Sequence, residues 1–399
     1  MPPKGHAILS ASSSERWLNC PPSARLCEAY EDKGSDYAAE GTDAHALCEF
    51  RLKQALGIQA ESPIEALAWY SEEMEDCAAG YAAYVVELLE SAKQTCSDPV
   101  VLIEQRVDFS RWVEQGFGTA DCVIIADGTL DIVDYKHGKG VEVSAVENPQ
   151  MMLYALGALE LFDGIYDIDT VRMSIFQPRR DNVSVCVMAK DDLLQWACND
   201  LTYKAKLAYE GGGEFACGDW CRFCKAKAVC RKRAEYNLEL AKYDFEMPDT
   251  LEDAEIAAIL DKVDELADWA ADVKEYALRQ ALSGTEYPGY KVVEGRSNRR
   301  YISEDAVADA VSQAGYDPYA KKILGLTEMQ KLLGKKKFDE LLGGLIEKPQ
   351  GKPVLVPLSD RVVEVLKWDG TRFEPFDLVA NNILAAGTVA AKHLAADSV

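Results

Sequence analysis

The chain has 399 residues, of which 48% are hydrophobic, so it can bury a large core without disulfides or other cross-links. No apolar run approaches the roughly 18 residues that cross a bilayer, and the start of the chain lacks the pattern of a secretory signal. These features exclude a membrane or secreted class and predict a cytosolic protein. The formal net charge of −24 excludes a uniformly basic nucleic-acid-binding surface, although one basic groove can coexist with an acidic exterior.

The amino-terminal part of the chain has the periodicity of amphipathic helices. A first helix is predicted after Ser10, with Ser12 to Glu15 as its capping box. A second helix is predicted over Glu40 to Leu52, with its start at Gly41-Thr42-Asp43, and a third helical block covers residues 63–93. The fold should therefore begin with helices alone.

A β-rich stretch begins near residue 98, where short apolar runs alternate with turn residues. It predicts three strands, namely Val100 to Val107, Gly118 to Ile125 and Leu130 to Lys136. They are followed by a helix over Asn148 to Phe162, strands over Thr170 to Gln177 and Val183 to Met188, and a helix over Asp191 to Tyr209. This order predicts an α/β fold with a mixed central sheet flanked by helices.

The composition along the chain predicts three parts. Residues 1–240 should form the main domain, which ends with a cysteine segment from Cys217 to Cys230. Residues 241–285 should form an acidic helical arm within a mostly helical carboxy-terminal region. Residues 286–399 mix short strands and helices between Gly and Pro breaks, and should form a small α+β domain of unassigned role with an Ala-rich helix or tail from Ala385.

The sharpest signal for function lies on two neighbouring predicted strands. Asp134 and Lys136 are two residues apart, so on a strand they share a face while Tyr135 points the other way. Asp121 lies on the preceding strand. Two carboxylates can bind Mg²⁺ or Mn²⁺ with water positions left open, and a lysine can orient the water or stabilise charge on a phosphate. The three residues therefore predict phosphodiester hydrolysis.

The same residues have a plainer explanation, because an Asp and a Lys on an exposed strand face can form a surface ion pair of little consequence. The context argues against it. Gln150 and Tyr154 are four residues apart on the predicted helix that follows, so they share one helical face and should line the same cleft. They join Asp121, Asp134 and Lys136 as predicted catalytic residues.

These residues resemble the motif set of the PD-(D/E)XK nuclease superfamily, in the type shared by RecB, AddB and the CRISPR-associated RecB-like exonucleases. The match comprises Gly118-x-x-Asp121, Asp134-Tyr-Lys136 and Gln150-x-x-x-Tyr154. The resemblance spans roughly Ser10 to Arg233 and implies a restriction-endonuclease-like core and a metal-dependent exonuclease acting on DNA ends. The arrangement is most similar to stand-alone phage nucleases for recombination or genome processing, which implies the cytoplasm of a phage-infected or bacterial host.

The resemblance also implies a histidine ligand to the metal, and Gly41-Thr42-x-x-His45 matches that pattern. A lone histidine on a helix is more often a structural residue, so the assignment of His45 depends on the resemblance. Glu104, on the first predicted strand, is a further candidate ligand, with pairing to Arg106 as the alternative. The backbone carbonyl of Tyr135 completes the predicted metal site, to which Asp121 and Asp134 contribute their carboxylates.

Cysteines are numerous for a cytosolic chain, with 12 in all, and in that compartment clustered cysteines bind metals more often than they form disulfides. Some lie in apolar stretches and are predicted core residues, namely Cys48, Cys122 and Cys186. Three others have the spacing Cys221-x2-Cys224-x5-Cys230 and can hold one metal centre, with Cys20 as the fourth ligand and Cys217 as a substitute. This spacing suits an iron–sulfur cluster and Zn²⁺ equally.

In the RecB-like nucleases that this chain resembles, one upstream and three downstream cysteines hold a [4Fe–4S] cluster. The resemblance therefore implies such a cluster on Cys20, Cys221, Cys224 and Cys230, with Zn²⁺ as the alternative. The cluster would clasp the amino-terminal helices to the end of the nuclease core, and its role would be structural.

Basic residues within the cysteine segment predict contacts with the DNA backbone, namely Arg222, Lys225, Lys227 and Arg231. The implied partners are single- or double-stranded DNA ends. Because the chain has no P-loop, any helicase would be a separate chain, as would a recombinase or single-strand annealing protein. Later basic residues are more typical of solvated surfaces, namely Lys291, Arg296, Arg299, Arg300, Lys335, Lys336 and Lys337.

Two other classes of protein stay open. One is a non-cleaving DNA-binding or assembly subunit with a relic nuclease fold, against which the complete Asp-Asp-Lys set argues. The other is a zinc-stabilised interaction protein, which the metal content of the purified chain would identify.

Overall fold

The computed structural model describes residues 7–31, 34–239, 251–293, 303–313, 319, 323, 325–346, 366–368 and 373–375. The chain divides after Glu294 into two units, the first of which includes both the predicted main domain and the predicted helical arm. None of the helices in these ranges has the length and apolar composition that crossing a bilayer requires.

The described part of the first unit begins with helices and continues with a sheet. In chain order its elements are α1 (Ser14–Asn19), α2 (Ser23–Glu28), α3 (Asp36–Ala55), α4 (Glu72–Ala92), β1 (Val100–Asp108), β2 (Phe117–Ala126), β3 (Gly128–Tyr135), α5 (Pro149–Phe162), β4 (Ile168–Gln177), β5 (Asn182–Ala189), α6 (Lys190–Trp196), α7 (Thr202–Glu210), α8 (Arg231–Leu238) and α9 (Asp253–Leu282). A π-helical turn, Ala197–Leu201, joins α6 to α7. The five predicted strands and the helix between the third and fourth are confirmed.

The five strands form one sheet in the order β1-β2-β3-β4-β5. Strands β3 and β4 are parallel, with α5 as the crossover between them, and the other neighbouring pairs are antiparallel. One face of the sheet packs against α5 through residues such as Ile132 and Leu153. The opposite face packs against α3 and α4 through Val133, Leu47 and Tyr81. The predicted mixed α/β fold with flanking helices is therefore confirmed.

The predicted start of the second helix is wrong. Helix α3 begins at Asp36, one turn before the predicted start at Gly41-Thr42-Asp43. Ser35 is its N-cap, because the Ser35 hydroxyl accepts a hydrogen bond of 3.1 Å from the backbone N–H of Ala38. The helix is therefore long enough for residues from Glu40 to His45 to lie along it.

The predicted capping box at Ser12 to Glu15 is also wrong. Ser12 lies within a 3₁₀ turn, Ala11–Ser13, that precedes α1. The N-cap of α1 is therefore Ser13, and no side-chain cap bond joins Ser13 to the helix backbone. The Ser13 hydroxyl instead donates to the backbone carbonyl of Ser10, at 3.2 Å. The hydroxyl is used within the turn, so it does not cap the helix.

Two of the three predicted core cysteines are buried. Cys48 and Cys122 belong to the core between the sheet and helices α3 and α4. Cys186 is only partly buried, because it lies on the edge strand β5 and packs at the margin of the core beside α5.

Gly157 allows α5 to approach the sheet closely. A Cβ at this position would lie 2.9 Å from Val107 Cβ and 3.2 Å from the backbone of Asp108, so β1 leaves no room for a side chain. We expect Gly157→Ala to lower the free energy of unfolding by about 1–3 kcal/mol, because overpacking outweighs the helix propensity of alanine. Thermal unfolding measures this effect. Gly164→Ala is the control, since its Cβ would meet no atom within 4 Å, and equal melting temperatures for both variants would contradict the packing.

The second unit, in its described part, contains α10 (Glu304–Gln313), α11 (Leu326–Leu333), α12 (Lys335–Leu342) and a two-stranded antiparallel sheet of β6 (Leu366–Trp368) and β7 (Phe373–Pro375). Lys291, shortly before this unit, and Lys337 within it are exposed, as predicted. The predictions for Arg296, Arg299 and Arg300, for the side chains of Lys335 and Lys336, and for the Ala-rich end from Ala385 lie outside what the structure describes.

Candidate functional site

The three residues of the predicted site lie together at the carboxy-terminal end of β3. Lys136 Nζ is 2.9 Å from Asp134 Oδ2. On the neighbouring strand, Asp121 Oδ2 accepts a hydrogen bond of 2.7 Å from the backbone N–H of Tyr135. Strand alternation explains the arrangement, because Val133 packs on the α3 and α4 side while the side chains of Asp134 and Lys136 meet residues of α5.

The amide of Gln150, on α5, bridges the ion pair. Its Oε1 accepts a hydrogen bond of 3.1 Å from Lys136 Nζ, and its Nε2 donates to Asp134 Oδ1 at 3.2 Å. The same Nε2 donates to the hydroxyl of Tyr154 at 3.2 Å, one helical turn further along. A Cβ at Gly118 would lie 2.7 Å from the Tyr154 ring, which explains why glycine stands there. The predicted helical face therefore does contact the site.

Three potential metal ligands meet beside this pair. One ligand atom from each of His45, Glu104 and Asp121 lies within 4.8 Å of the others, and His45 Nδ1 is 3.3 Å from Asp121 Oδ1. The residues come from α3, β1 and β2 respectively. Glu104 therefore contacts the site. Arg106, the alternative partner predicted for Glu104, instead lies over the ring of Phe117, with its guanidinium carbon 3.8 Å from the ring centroid.

Strands β1 and β2 are irregular where they pass the site. Glu104 has a φ of 50°, a left-handed conformation that costs a residue with a side chain about 1–3 kcal/mol. The β1–β2 pairing is interrupted there, across from Asp121. Ala120 packs in the core beside α5 and Cys122 in the core beside α3, although residues two apart on a regular strand share a face. The interruption accompanies the approach of both carboxylates to His45.

The charges of the site are strongly coupled. The side chain of Asp134 is 3% exposed, so burial raises its pKa and Lys136 offsets this only in part. Burial alone would lower the pKa of Lys136, but the carboxylate of Asp134 raises it overall and keeps the ammonium protonated. Burial also acts to lower the pKa of His45, and Asp121 more than compensates. Asp134 Oδ2 is buried and lies 2.9 Å from Lys136 Nζ. No donor among the described residues makes a hydrogen bond of good geometry to it.

Glu104 gives the site a pH dependence that can be measured without substrate. Burial and the neighbouring Asp121 raise its pKa to about 7, above the value of about 4.3 for an unfolded glutamate. The folded state holds the proton more tightly, so this residue costs increasing stability as pH rises from about 4.5 to 7. We expect Glu104→Gln to raise the melting temperature of the metal-free protein at pH 8 and to change it little at pH 5.

Thermal unfolding in the presence of a chelator, at both pH values, measures this difference. Glu90→Gln is the control, because Glu90 is an exposed glutamate on α4 whose carboxylate lies 2.7 Å from Lys93 Nζ. A melting temperature that changes equally at pH 5 and pH 8 in Glu104→Gln would contradict the raised pKa.

A buried polar network lies behind the site and was not predicted. The Tyr135 ring packs edge-on against His45, with ring centroids 5.5 Å apart. The Tyr135 hydroxyl is 2.7 Å from His137 Nδ1, and His137 Nε2 is 3.3 Å from Glu40 Oε1, which also binds Arg179 at 2.8 Å. The Tyr135 side chain does point away from Asp134, as predicted, but it supports the helix that carries His45.

The four cysteines of the predicted cluster line one small cavity. Cys20, Cys221 and Cys224 are buried and Cys230 is half-buried. Cys20 comes from the turn after α1, and the others follow α7, so the cavity joins parts of the chain that are distant in sequence. All four are free thiols. The structure thus brings together the residues that the spacing selected.

Two further cysteines contact members of this group. Cys27, on α2, has its Sγ 3.6 Å from Cys224 Sγ. Cys217, the predicted substitute ligand, has its Sγ 3.8 Å from Cys221 Sγ. Cys27 is not among the predicted ligands, although it lies only seven residues after Cys20 in the sequence.

The basic segment, residues 222–233, contains basic side chains of two kinds: some form ion pairs with α9 and others are exposed. Arg233 is buried and binds Glu265 and Asp272 of α9, at 2.6 and 2.5 Å. Lys227, a predicted DNA contact, lies 2.7 Å from Asp272 and is held in the same way. The other predicted contacts, Arg222, Lys225 and Arg231, are exposed. Part of the positive charge therefore fastens α9 to the cysteine segment.

The fold and the site define an α/β protein with a histidine–carboxylate group beside a buried Asp–Lys pair. The chain belongs to the family DUF2800, described as "Protein of unknown function", whose model matches residues 6–362. Among solved structures it is similar to the one described as "Crystal structure of SSO0001", at 13% identity and a TM-score of 0.21, over 47% of this chain and 95% of that chain.

Proposed function

We propose that this chain is a Mg²⁺- or Mn²⁺-dependent deoxyribonuclease of the PD-(D/E)XK, RecB-like type, acting as an exonuclease on DNA ends. The observation that carries the proposal is the convergence of Asp121, Asp134 and Lys136, with Gln150 bridging the last two. A surface ion pair needs none of these partners. A hydrolytic site needs all of them, because both metal ligands and a positioned cation must face one phosphate.

The donor atoms suit a hard divalent cation. Carboxylate oxygens are the ligands that Mg²⁺ and Mn²⁺ prefer, and Mn²⁺ also accepts the imidazole of His45. Glu104 and Asp121 supply carboxylates within 4.8 Å of that imidazole. Asp134 Oδ2 lies 2.9 Å from Lys136 Nζ but has no well-oriented hydrogen-bond donor among the described residues, so the carboxylate of Asp134 is a further ligand in this proposal. A bound ion lowers the pKa of its water and neutralises charge on the phosphate.

The remaining residues position the lysine. Lys136 is 27% exposed at its side chain, whereas Asp134 is 3% exposed, so the ammonium lies on the solvent side of the pair. There Lys136 orients the attacking water or stabilises negative charge as it develops. The Gln150 amide hydrogen-bonds to both Lys136 and Asp134 and so fixes their relative positions. The Tyr154 hydroxyl accepts from the same amide and fixes its orientation. The carbonyl of Tyr135 is a further ligand in this proposal.

The proposal includes a [4Fe–4S] cluster on Cys20, Cys221, Cys224 and Cys230, with Zn²⁺ as the alternative. Thiolates are the donors that both prefer, and the four line one cavity. Arg16 and Arg233 also line it, so two positive charges lie beside the thiolates that a bound metal centre would require. The cluster would clasp α1 and α2 to the segment that follows α7, and thereby place Arg222, Lys225 and Arg231 for contact with DNA.

The proposed setting is phage or bacterial DNA recombination and processing, in the cytoplasm. The DNA substrate carries single- or double-stranded ends. Any helicase, recombinase or single-strand annealing protein that works with this chain would be a separate protein.

Purified full-length chain incubated with end-labelled linear DNA tests the proposal. We expect release of labelled nucleotides or short fragments with Mg²⁺ or Mn²⁺, and none with a chelator in excess. DNA that is bound but remains intact under both conditions would contradict the proposal and identify a non-cleaving binding subunit. A colourless protein that contains zinc and leaves DNA unbound would instead identify the zinc-stabilised interaction class.

A further inference from the structure

The cysteine cavity has more thiols nearby than a four-ligand metal centre uses. Cys27 does not line the cavity, yet its Sγ lies 3.6 Å from Sγ of the proposed ligand Cys224. Both side chains are buried and pack with Ala226 in a small apolar cluster of their own. Cys27 is therefore next to the metal site without belonging to the proposed ligand set.

We propose that Cys27 and Cys224 form a disulfide in the presence of a low-molecular-weight disulfide, and that this bond removes Cys224 from the metal site. The inference rests on the metal clasp of the proposed function. Cys27 then acts as a resolving cysteine, and the state of this pair decides whether the clasp can be loaded with metal.

The geometry requires little movement. A disulfide bond is about 2.05 Å long, so the two sulfur atoms must approach by roughly 1.5 Å, which is within reach of side-chain rotation and small backbone adjustment. The two residues are 197 positions apart. The disulfide would therefore join α2 to the cysteine segment, the same two regions that the metal joins, and would preserve their attachment after the metal is lost.

Cys224 also offers a route for the oxidant. It lines the metal cavity on one side and, on the other, a wider groove whose walls include Tyr30, Phe223 and Lys225. Cys224 passes its proton to the neighbouring Cys27 sulfur, then attacks one sulfur of the small disulfide and releases one thiol. Cys27 then attacks the Cys224 sulfur of the mixed disulfide and releases the second thiol. Two cysteines are oxidised, one small disulfide is reduced to two thiols, and the protons of the cysteines pass to the leaving groups.

Peptide mapping after oxidation tests this proposal. Full-length protein is treated with oxidised glutathione, with and without a chelator, and its disulfides and its iron and zinc contents are determined. We expect the chelated wild type to form the Cys27–Cys224 link and to take up iron and sulfide again only after reduction with a dithiol. Cys27→Ser should form no such link and should reload without the reductant. Cys198→Ser is the control, since Cys198 is exposed, and should behave as the wild type.

Two outcomes would overturn the proposal. One is a wild type in which Cys224 pairs with another cysteine or stays reduced under the same treatment. The other is a Cys27→Ser variant that lacks metal before any oxidant is added, because Cys27 would then be a ligand itself. A wild type that never contains iron or zinc would refute the metal clasp, and the DNA-cleavage assay would still test the nuclease separately.

Discussion

Replacing Lys136 with alanine should lower the rate of DNA cleavage by about 10²–10³-fold, the usual cost of removing one group that stabilises developing charge in an active site. Lys136 is the cation that Asp134 and Gln150 hold on the solvent side of the site. Cleavage of labelled DNA with saturating Mn²⁺ measures the effect. DNA binding should change far less than the rate, because the proposal assigns contacts with the DNA backbone to other basic residues.

Loss of activity through unfolding needs a separate control, because Lys136→Ala leaves the buried carboxylate of Asp134 without its partner and lowers the stability of the protein. The double variant Asp134→Asn/Lys136→Met removes both charges at similar volume, and we expect it to fold and to stay inactive. Lys204→Ala is the matched control, since Lys204 also makes a 2.9 Å ion pair, with Asp200 on the same helical segment, away from the site. Activity in Lys136→Ala equal to that in Lys204→Ala would refute the assigned role.

Replacing Cys20 with serine should remove most of the bound metal and lower the melting temperature by about 10 °C or more. Of the four cysteines that line the cavity, Cys20 alone comes from the amino-terminal helical region, whereas Cys221, Cys224 and Cys230 come from one later segment. A cross-link between parts so distant in the chain is worth about 4–5 kcal/mol, and each kcal/mol corresponds to about 2–4 °C in a domain of this size.

Metal analysis and thermal unfolding of the anaerobically purified protein measure both effects. The wild type should be brown, with a broad absorbance near about 400 nm, if iron and sulfide fill the clasp. Cys198→Ser is again the matched control, because it makes the same chemical change at an exposed cysteine. Full metal content in Cys20→Ser would exclude Cys20 from the ligand set and favour a different fourth thiolate.

The strands and the Asp-x-Lys pair could be predicted because both depend on local alternation. Residues two apart on β3 share a face whatever the rest of the chain does, so the sequence alone was sufficient to pair Asp134 with Lys136. The spacing of Gln150 and Tyr154 is equally local, because one helical turn separates them. Each of these contacts is present in the structure.

Other parts of the site depend on contacts between distant segments, which no local pattern reports. Glu104 adopts a left-handed backbone conformation. A sequence indicates such a conformation only where glycine or asparagine occupies the position, and here the residue is a glutamate within a strand. The contact of Cys27 with Cys224 joins residues 197 positions apart. The His137 network likewise draws Glu40 and Arg179 from two other elements.

The basic segment shows why net charge along the chain is a poor guide to a binding surface. Arg222, Lys225, Lys227 and Arg231 are all predicted DNA contacts, but Lys227, like the neighbouring Arg233, is paired with acidic residues of α9. That pairing could not be read from the sequence, because it depends on where a later helix packs. It also uses some of the acidic residues that give the chain its net charge of −24.

The central claim is that the carboxylates beside Lys136 hold the divalent ion that hydrolysis requires, and the Mn²⁺ dependence of DNA cleavage tests it most directly. Cleavage rates are measured across a Mn²⁺ titration for the wild type and for Asp121→Asn, which keeps the size of the side chain and removes its charge. The account predicts saturable, chelator-sensitive cleavage in the wild type and little or no cleavage in Asp121→Asn at any Mn²⁺ concentration. Identical titration curves for the two proteins, or cleavage that persists in a chelator, would contradict it.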